Sequence, residues 1–242
     1  MSNSLLYLYE DAENHRLTMS GVTFSDFIVA IDSKRPLLVS GAAFKSAKQS
    51  LRTSFHYVEG HEVEQFVQSS EVERSPLSAI DIRSSHSLDT LTDAEIAELL
   101  FIMHMKRGMP SPFTSSVENE MVYFSENPGV QATVYLKDWS RIEQMLTFLM
   151  QRKMNRELRL PSSPLTAEII LNLHHLLSEG ILMDFANAKQ SVFTRNISIP
   201  VYAAGRYEDM TVLKEDLDSK KESIVKRGEL VHRKKNWSLE LQ

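Results

Sequence analysis

The sequence predicts an α+β protein in which small antiparallel sheets, built from hairpins, pack with amphipathic helices in two loosely similar subdomains. Three observations predict this class. Short apolar or alternating runs recur between polar turns, as strands do. Longer segments place apolar residues three and four apart, open on Ser, Thr or Asp and close near glycine, as helices do. A hairpin pattern occurs in each half. With 242 residues, 42% hydrophobic and 24% charged, the chain has enough apolar side chain for a sizeable core.

Leu5–Tyr9 and Arg16–Met19 flank the polar segment 10–15, which reads as a first hairpin. Ser25–Ile31 reads as a short helix capped by Ser25, with Phe27, Ile28 and Ile31 on one side. Pro36–Gly41 reads as a strand, Ala42–Arg52 as a helix, Ser54–Val58 as a strand and His61–Gln68 as a helix burying Val63, Phe66 and Val67. Leu77–Ile82 alternates like a strand, and Ser84–Ser87 reads as loop. Thr92 and Glu95 have capping-box spacing ahead of the apolar run Ala94–Met103, with Lys106, Arg107 and Gly108 as stop signals. Its apolar positions cover most of that helix, which predicts a central place for it.

Pro110-Ser111-Pro112 breaks the chain. Met121–Ser125 and Val130–Leu136 flank Asn127-Pro128-Gly129, a second hairpin with favourable turn chemistry. Asp138 is placed to cap a helix from Trp139 to Leu158, whose inner face carries Ile142, Met145, Leu146 and Leu149. Thr166 is placed to cap another helix through Ile169, Ile170, Leu173, Leu176 and Leu177, ending at Gly180. Ser191–Tyr202 reads as extended and Asp209–Leu230 as a charged, partly helical tail. The expected organisation is an N-terminal α+β subdomain over residues 1–109, a hairpin-plus-helices subdomain over 114–206, and a charged C-terminal extension over 207–242. The segments 91–96 and 165–169 look alike, although caps and first-turn acids are general helix punctuation.

Cysteine is absent, so disulfides, thiolate metal sites and cysteine nucleophiles are excluded together. The N-terminal run Leu5–Leu8 lacks the basic flank of a signal peptide, and no uncharged stretch is long enough to span a bilayer. A soluble, cytoplasmic protein without a membrane partner is the expectation.

Few residues group as chemistry would need. His56, Glu59, His61 and Glu62 are the densest set of potential metal ligands, yet on a helix His56 and His61 would lie about 140° apart. His175 and Glu179 have i,i+4 spacing and would share a helix face, with His174 beside them; His104 sits among helix core residues. Gly41-Ala42-Ala43-Phe44-Lys45-Ser46 is placed like a phosphate loop but lacks the second glycine before Lys-Ser. From these we expect no catalytic set, no metal site and no cofactor.

Thr114-Ser115-Ser116-Val117-Glu118-Asn119 resembles the inhibitory-helix pattern of the Fic family, and residues 165–177 are similar to the helix preceding that family's catalytic core. The family's HxFxxGN signature is absent, so the resemblance implies neither its histidine base nor nucleotidyl transfer.

The clearest charge asymmetry lies at Lys220–Lys235. Seven basic residues, Lys220, Lys221, Lys226, Arg227, Arg233, Lys234 and Lys235, stand against Glu222 and Glu229, in a chain of net charge −5. Trp237 follows as a possible stacking platform. The expected function is a non-catalytic interaction or adaptor subunit of a larger intracellular assembly. This basic segment would contact an acidic protein or a nucleic acid. The alternative is a metal- or histidine-dependent hydrolase or transferase built on His56/Glu59/His61 or His175/Glu179.

Overall fold

Helix starts follow the capping chemistry. Thr23, two residues ahead of the expected cap, accepts from the Asp26 amide while Asp26 reaches back, which opens α1 (Phe24–Ala30). The Thr92–Glu95 box opens α4 (Asp93–Met103), and Thr166 opens α6 (Ala167–Leu176) by accepting from Ile169 N. Asp209 caps α7 (Met210–Asp218) through Thr211 N. Further helices with described bounds are α2 (Val63–Val67), α3 (His86–Asp89) and α5 (Ile142–Leu158). The computed structural model describes residues 4–41, 48–49, 55–69, 72, 76–84, 86–104, 111–127, 130–158, 164–191, 196–234 and 236–242.

The strands are β1 (Leu5–Asp11), β2 (Arg16–Ser20), β3 (Leu37–Gly41), β4 (Lys48–Gln49), β5 (His56–Val58), β6 (Leu77–Asp81), β7 (Met121–Asn127), β8 (Gln131–Leu136), β9 (Ile181–Asp184), β10 (Lys189–Gln190), β11 (Ile197–Ala203), β12 (Val225–Arg233) and β13 (Asn236–Leu241). The fold is α+β, and the registered pairings are antiparallel. The chain divides into two units. One comprises residues 1–13, 17–22 and 140–242, the other residues 14–16 and 23–139.

In the first unit the strand order is β13-β12-β11-β9-β1-β2, with β10 also paired to β11. All four residues of β9 are buried, and it lies between β1 and β11. Tyr7 is buried in β1, and its hydroxyl donates to Gly205 O (2.8 Å) and accepts from Tyr207 N (3.0 Å). Burial pushes that phenol well above its usual pKa. Helix α5 buries Ile142, Met145, Leu146, Leu149, Met150 and Met154, one stripe at helical spacing. Lys153 is buried in the same stripe, 3.3 Å from Glu157 and 3.4 Å from Gly21 O.

The second unit has the order β8-β7-β6-β3-β5-β4 and is covered on both faces. On one face α4 packs through Leu99, Ile102 and Met103 onto Leu38, Tyr57, Ile80, Val122 and Phe124. On the other, Phe24 and Phe27 of α1 meet the buried Tyr123 ring at 4.5 and 5.5 Å. An electrostatic pin closes this unit: Asp81 Oδ1 accepts from Glu120 N (2.8 Å) and Met121 N (2.6 Å), and its Oδ2 meets Arg35 Nε at 3.0 Å.

Several element expectations change. The helix expected over Ala42–Arg52 lies largely outside the described residues, and its residues Lys48–Gln49 pair with β5 as a strand. Ser84–Ser87 runs into the short helix α3. Helix α4 is not central: one side faces the sheet, whereas Phe101 is exposed. The segment resembling an inhibitory helix is a turn, tied by Asn119, which accepts from Thr114 N and donates to Pro112 O. The stop signals Lys106–Gly108, residue Pro110, the turn residues Pro128–Gly129 and Lys235 lie outside the described residues.

Candidate functional site

The expected contact residues fall on the turn after α7 and on the hairpin β12–β13, except Lys235, which lies outside the described residues. Strand alternation sorts their side chains. Leu230, His232, Trp237 and Leu239 share one face with Ile197 and Ile199 of the adjoining strand β11, while Glu229, Val231, Ser238 and Glu240 share the other. Residues 225–241 thus belong to a sheet and not to a free tail, because the apolar side chains on β12 meet those of β11 across the ladder.

The cations are matched by carboxylates of the same chain. Lys221 Nζ lies 2.8 Å from Asp216 Oδ2, and Arg233 Nη1 lies 3.0 Å from Glu240 Oε1. Lys226 pairs with Glu229, which also accepts from Ser198, and Arg227 pairs with Glu179. The hydrogen bond from Lys221, with help from the Tyr207 hydroxyl, holds the Asp216 carboxyl below its usual range; the same bond raises Lys221. Lys226, then Ser198, lowers Glu229. Lys220 and Lys234 are exposed in turns with φ of 55° and 50°, and neither forms an ion pair with another described residue. Trp237 is buried with its ring 4.8 Å from that of His232, so it offers no open face to a base. Both ring nitrogens of His232 are buried without a hydrogen-bond partner among the described residues.

The other candidates separate. Glu59 accepts from the Tyr57 hydroxyl (2.7 Å), His56 is half-buried on β5, and His61 is exposed on the turn Gly60–Glu62. Among the described residues no three or more His, Asp or Glu side chains are arranged to hold a metal ion. Glu179 is engaged by Arg227, and His175 lies parallel to the His174 ring at 6.4 Å. His174 is the better-connected histidine: Nδ1 is 3.1 Å from Glu143 on α5 and Nε2 is 3.8 Å from Glu10 on β1. Glu10 and Glu143 are far apart in sequence, and no local pattern points to them.

The second unit also holds a cleft of about 360 Å3 beside the end of α4, lined among others by Ser40, Ser78, Met103, His104, Phe124 and Glu126. Ser125 also lines it but donates to Gln131 O (2.8 Å), so its proton is held by a carbonyl and not by a base. Ser40 and Ser78 are cross-strand neighbours, a pairing that sequence spacing conceals. No helix among the described residues is long and apolar enough to cross a membrane. No family model, curated protein or solved structure matches this chain.

Proposed function

We propose that the chain is a non-catalytic interaction subunit of a larger assembly, whose C-terminal segment contacts an acidic protein surface. The supporting observation is the placement of Lys220, Lys221, Lys226, Arg227, Arg233 and Lys234 at the surface of a sheet-anchored segment, with Lys220 and Lys234 exposed in turns. The pairs Lys221–Asp216 and Arg233–Glu240 leave their cations more than half exposed. Exposed, solvent-screened pairs of this kind contribute little, so a partner carboxylate exchanges with Asp216 or Glu240 at small cost.

The internal carboxylates lower the net positive field that drives counterion release, which ranks an acidic protein above a nucleic acid. Truncation before residue 220 would remove β12 and β13 and damage the sheet, so charge reversal is the cleaner test. The full chain and a Lys220→Glu, Lys234→Glu variant are compared in affinity capture from native lysate, alongside binding to a mixed-sequence duplex across a salt series. Capture of a partner by the wild type and its loss in the variant is the expected result. A partner held equally by both would sink the proposal, and steep salt-dependent duplex binding would move it to nucleic acid.

A further inference from the structure

Strand β13 ends the strand order of its unit, and its hydrogen-bonded neighbour is β12. In an antiparallel ladder the N–H and C=O of a residue point to the same side, and that side alternates along the strand. Gln242 donates to Arg227 O at 2.8 Å, in register with Leu241 opposite Gly228 and Glu240 opposite Glu229. Residues 236, 238, 240 and 242 therefore direct their main-chain groups toward β12. Those of Trp237, Leu239 and Leu241 point to the side on which no strand lies among the described residues.

Exposed edges in stable monomers carry devices against further pairing: several charges, a proline, a bulge or marked brevity. Strand β13 has six residues, a single charge at Glu240 and no proline, and its register against β12 runs without a shift. Gly228 lets the two strands approach closely, because a Cβ there would sit 2.2 Å from Glu240 O. Leu241, on the same face as Trp237 and Leu239, is half exposed.

We propose that β13 pairs antiparallel with β13 of a second copy of this chain about a two-fold axis, joining the two sheets edge to edge. Two properties of the strand select a second copy. A register centred on Ser238 sets Trp237 opposite the second copy's Leu239, and Asn236 opposite its Glu240. The apolar stripe and the polar face then both continue across the junction. The strand is also charge-complementary to its own reverse: Lys234, with no carboxylate partner among the described residues, flanks one end, and Glu240, already paired with Arg233 of its own chain, lies near the other. Antiparallel pairing puts each basic turn beside the second copy's Glu240, whereas parallel pairing sets like charges together. Such an isologous contact closes as a dimer. It uses main-chain edge groups, and although Lys234 lies near the junction, variants that keep Lys234 and Lys220 separate it from the partner reading above.

The test is sedimentation velocity of the full chain over a dilution series, with Leu239→Pro and Ser238→Glu as separate variants. The proline removes an outward N–H while leaving the inward ladder to β12 its donors. The glutamate sets two carboxylates against each other at the two-fold axis. The wild type is expected to dimerise, and each variant to weaken association by about tenfold or more with its thermal unfolding retained. A wild type that stays monomeric at every concentration overturns the proposal, as does a dimer equally strong in both variants. Should Leu239→Pro fail to fold, Ser238→Glu decides, because that side chain is exposed.

Discussion

Replacing Arg35 by methionine tests its ion pair with the buried Asp81 and also removes donors to Ile82 O and Glu118 O. Asp81 is 2% exposed and Arg35 24% exposed, so the carboxylate is removed from water while its cation is only partly so. Burial outweighs Arg35 and the amides of Glu120 and Met121, and the Asp81 carboxyl titrates above the usual range. Methionine keeps most of the arginine stem but leaves a buried negative charge with two amide donors. Breaking one side of a buried pair costs about 3–5 kcal/mol. The additional Arg35–Glu120 pair is half exposed on the glutamate side and adds less than about 1 kcal/mol.

The expected loss is therefore about 3–5 kcal/mol at neutral pH. Its sign with pH follows from linkage. Loss of Arg35 raises the folded pKa of Asp81 further, so the folded variant holds a proton that the unfolded chain has released. Both proteins lose stability as pH rises above the unfolded pKa, so the deficit grows between the folded pKa of the wild type and the higher one of the variant, and shrinks toward acid. Trp139 lies in the same unit as Arg35 and Trp237 in the other, so a Trp237→Phe background makes indole fluorescence report this unit alone. Urea unfolding of Arg35→Met at pH 7 and near pH 4.5 measures both quantities. A loss below about 1 kcal/mol, or one that is the same at both pH values, would refute the reasoning.

Three further outcomes follow from local geometry. Gly228→Ala should cost about 1–3 kcal/mol and red-shift Trp237 emission, because the new Cβ would lie 2.2 Å from Glu240 O and force the hairpin apart. His232→Phe should stabilise the protein by about 1 kcal/mol in thermal melts, since it replaces a buried imidazole with unsatisfied nitrogens by an apolar ring of similar shape; a lowered melting temperature would show that those nitrogens are satisfied. The Asp216 carboxyl, followed by carbon NMR, should titrate below the usual aspartate range and move back up in Lys221→Ala. Its contribution to stability is present above the unfolded pKa and is lost as pH falls through the lowered folded one.

Local chemistry was legible wherever it is decided by neighbours in sequence. The Thr92–Glu95 box, the Thr166 cap and the β7–β8 hairpin all follow from side chains acting on backbone within a few residues. Strand β9 was missed because Ile181–Asp184 is a four-residue run directly after a helix, with no alternation to mark it. Its identity comes from pairing with β1 and β11. The candidate site was legible as a list of cations and opaque as a charge distribution. A count over residues 220–235 leaves out Glu179, Asp216 and Glu240, and those carboxylates meet Arg227, Lys221 and Arg233.

Composition, caps and alternation established the α+β class and most element positions, because propensity, capping and periodicity act over single turns and adjacent residues. Strand order, the burial of Trp237, the clamp of Asp81 by Arg35 and the pairing of the C-terminal cations came from tertiary contacts. Each joins residues whose separation in sequence carries no periodic signal. Their positions are set by which apolar faces must be covered at once.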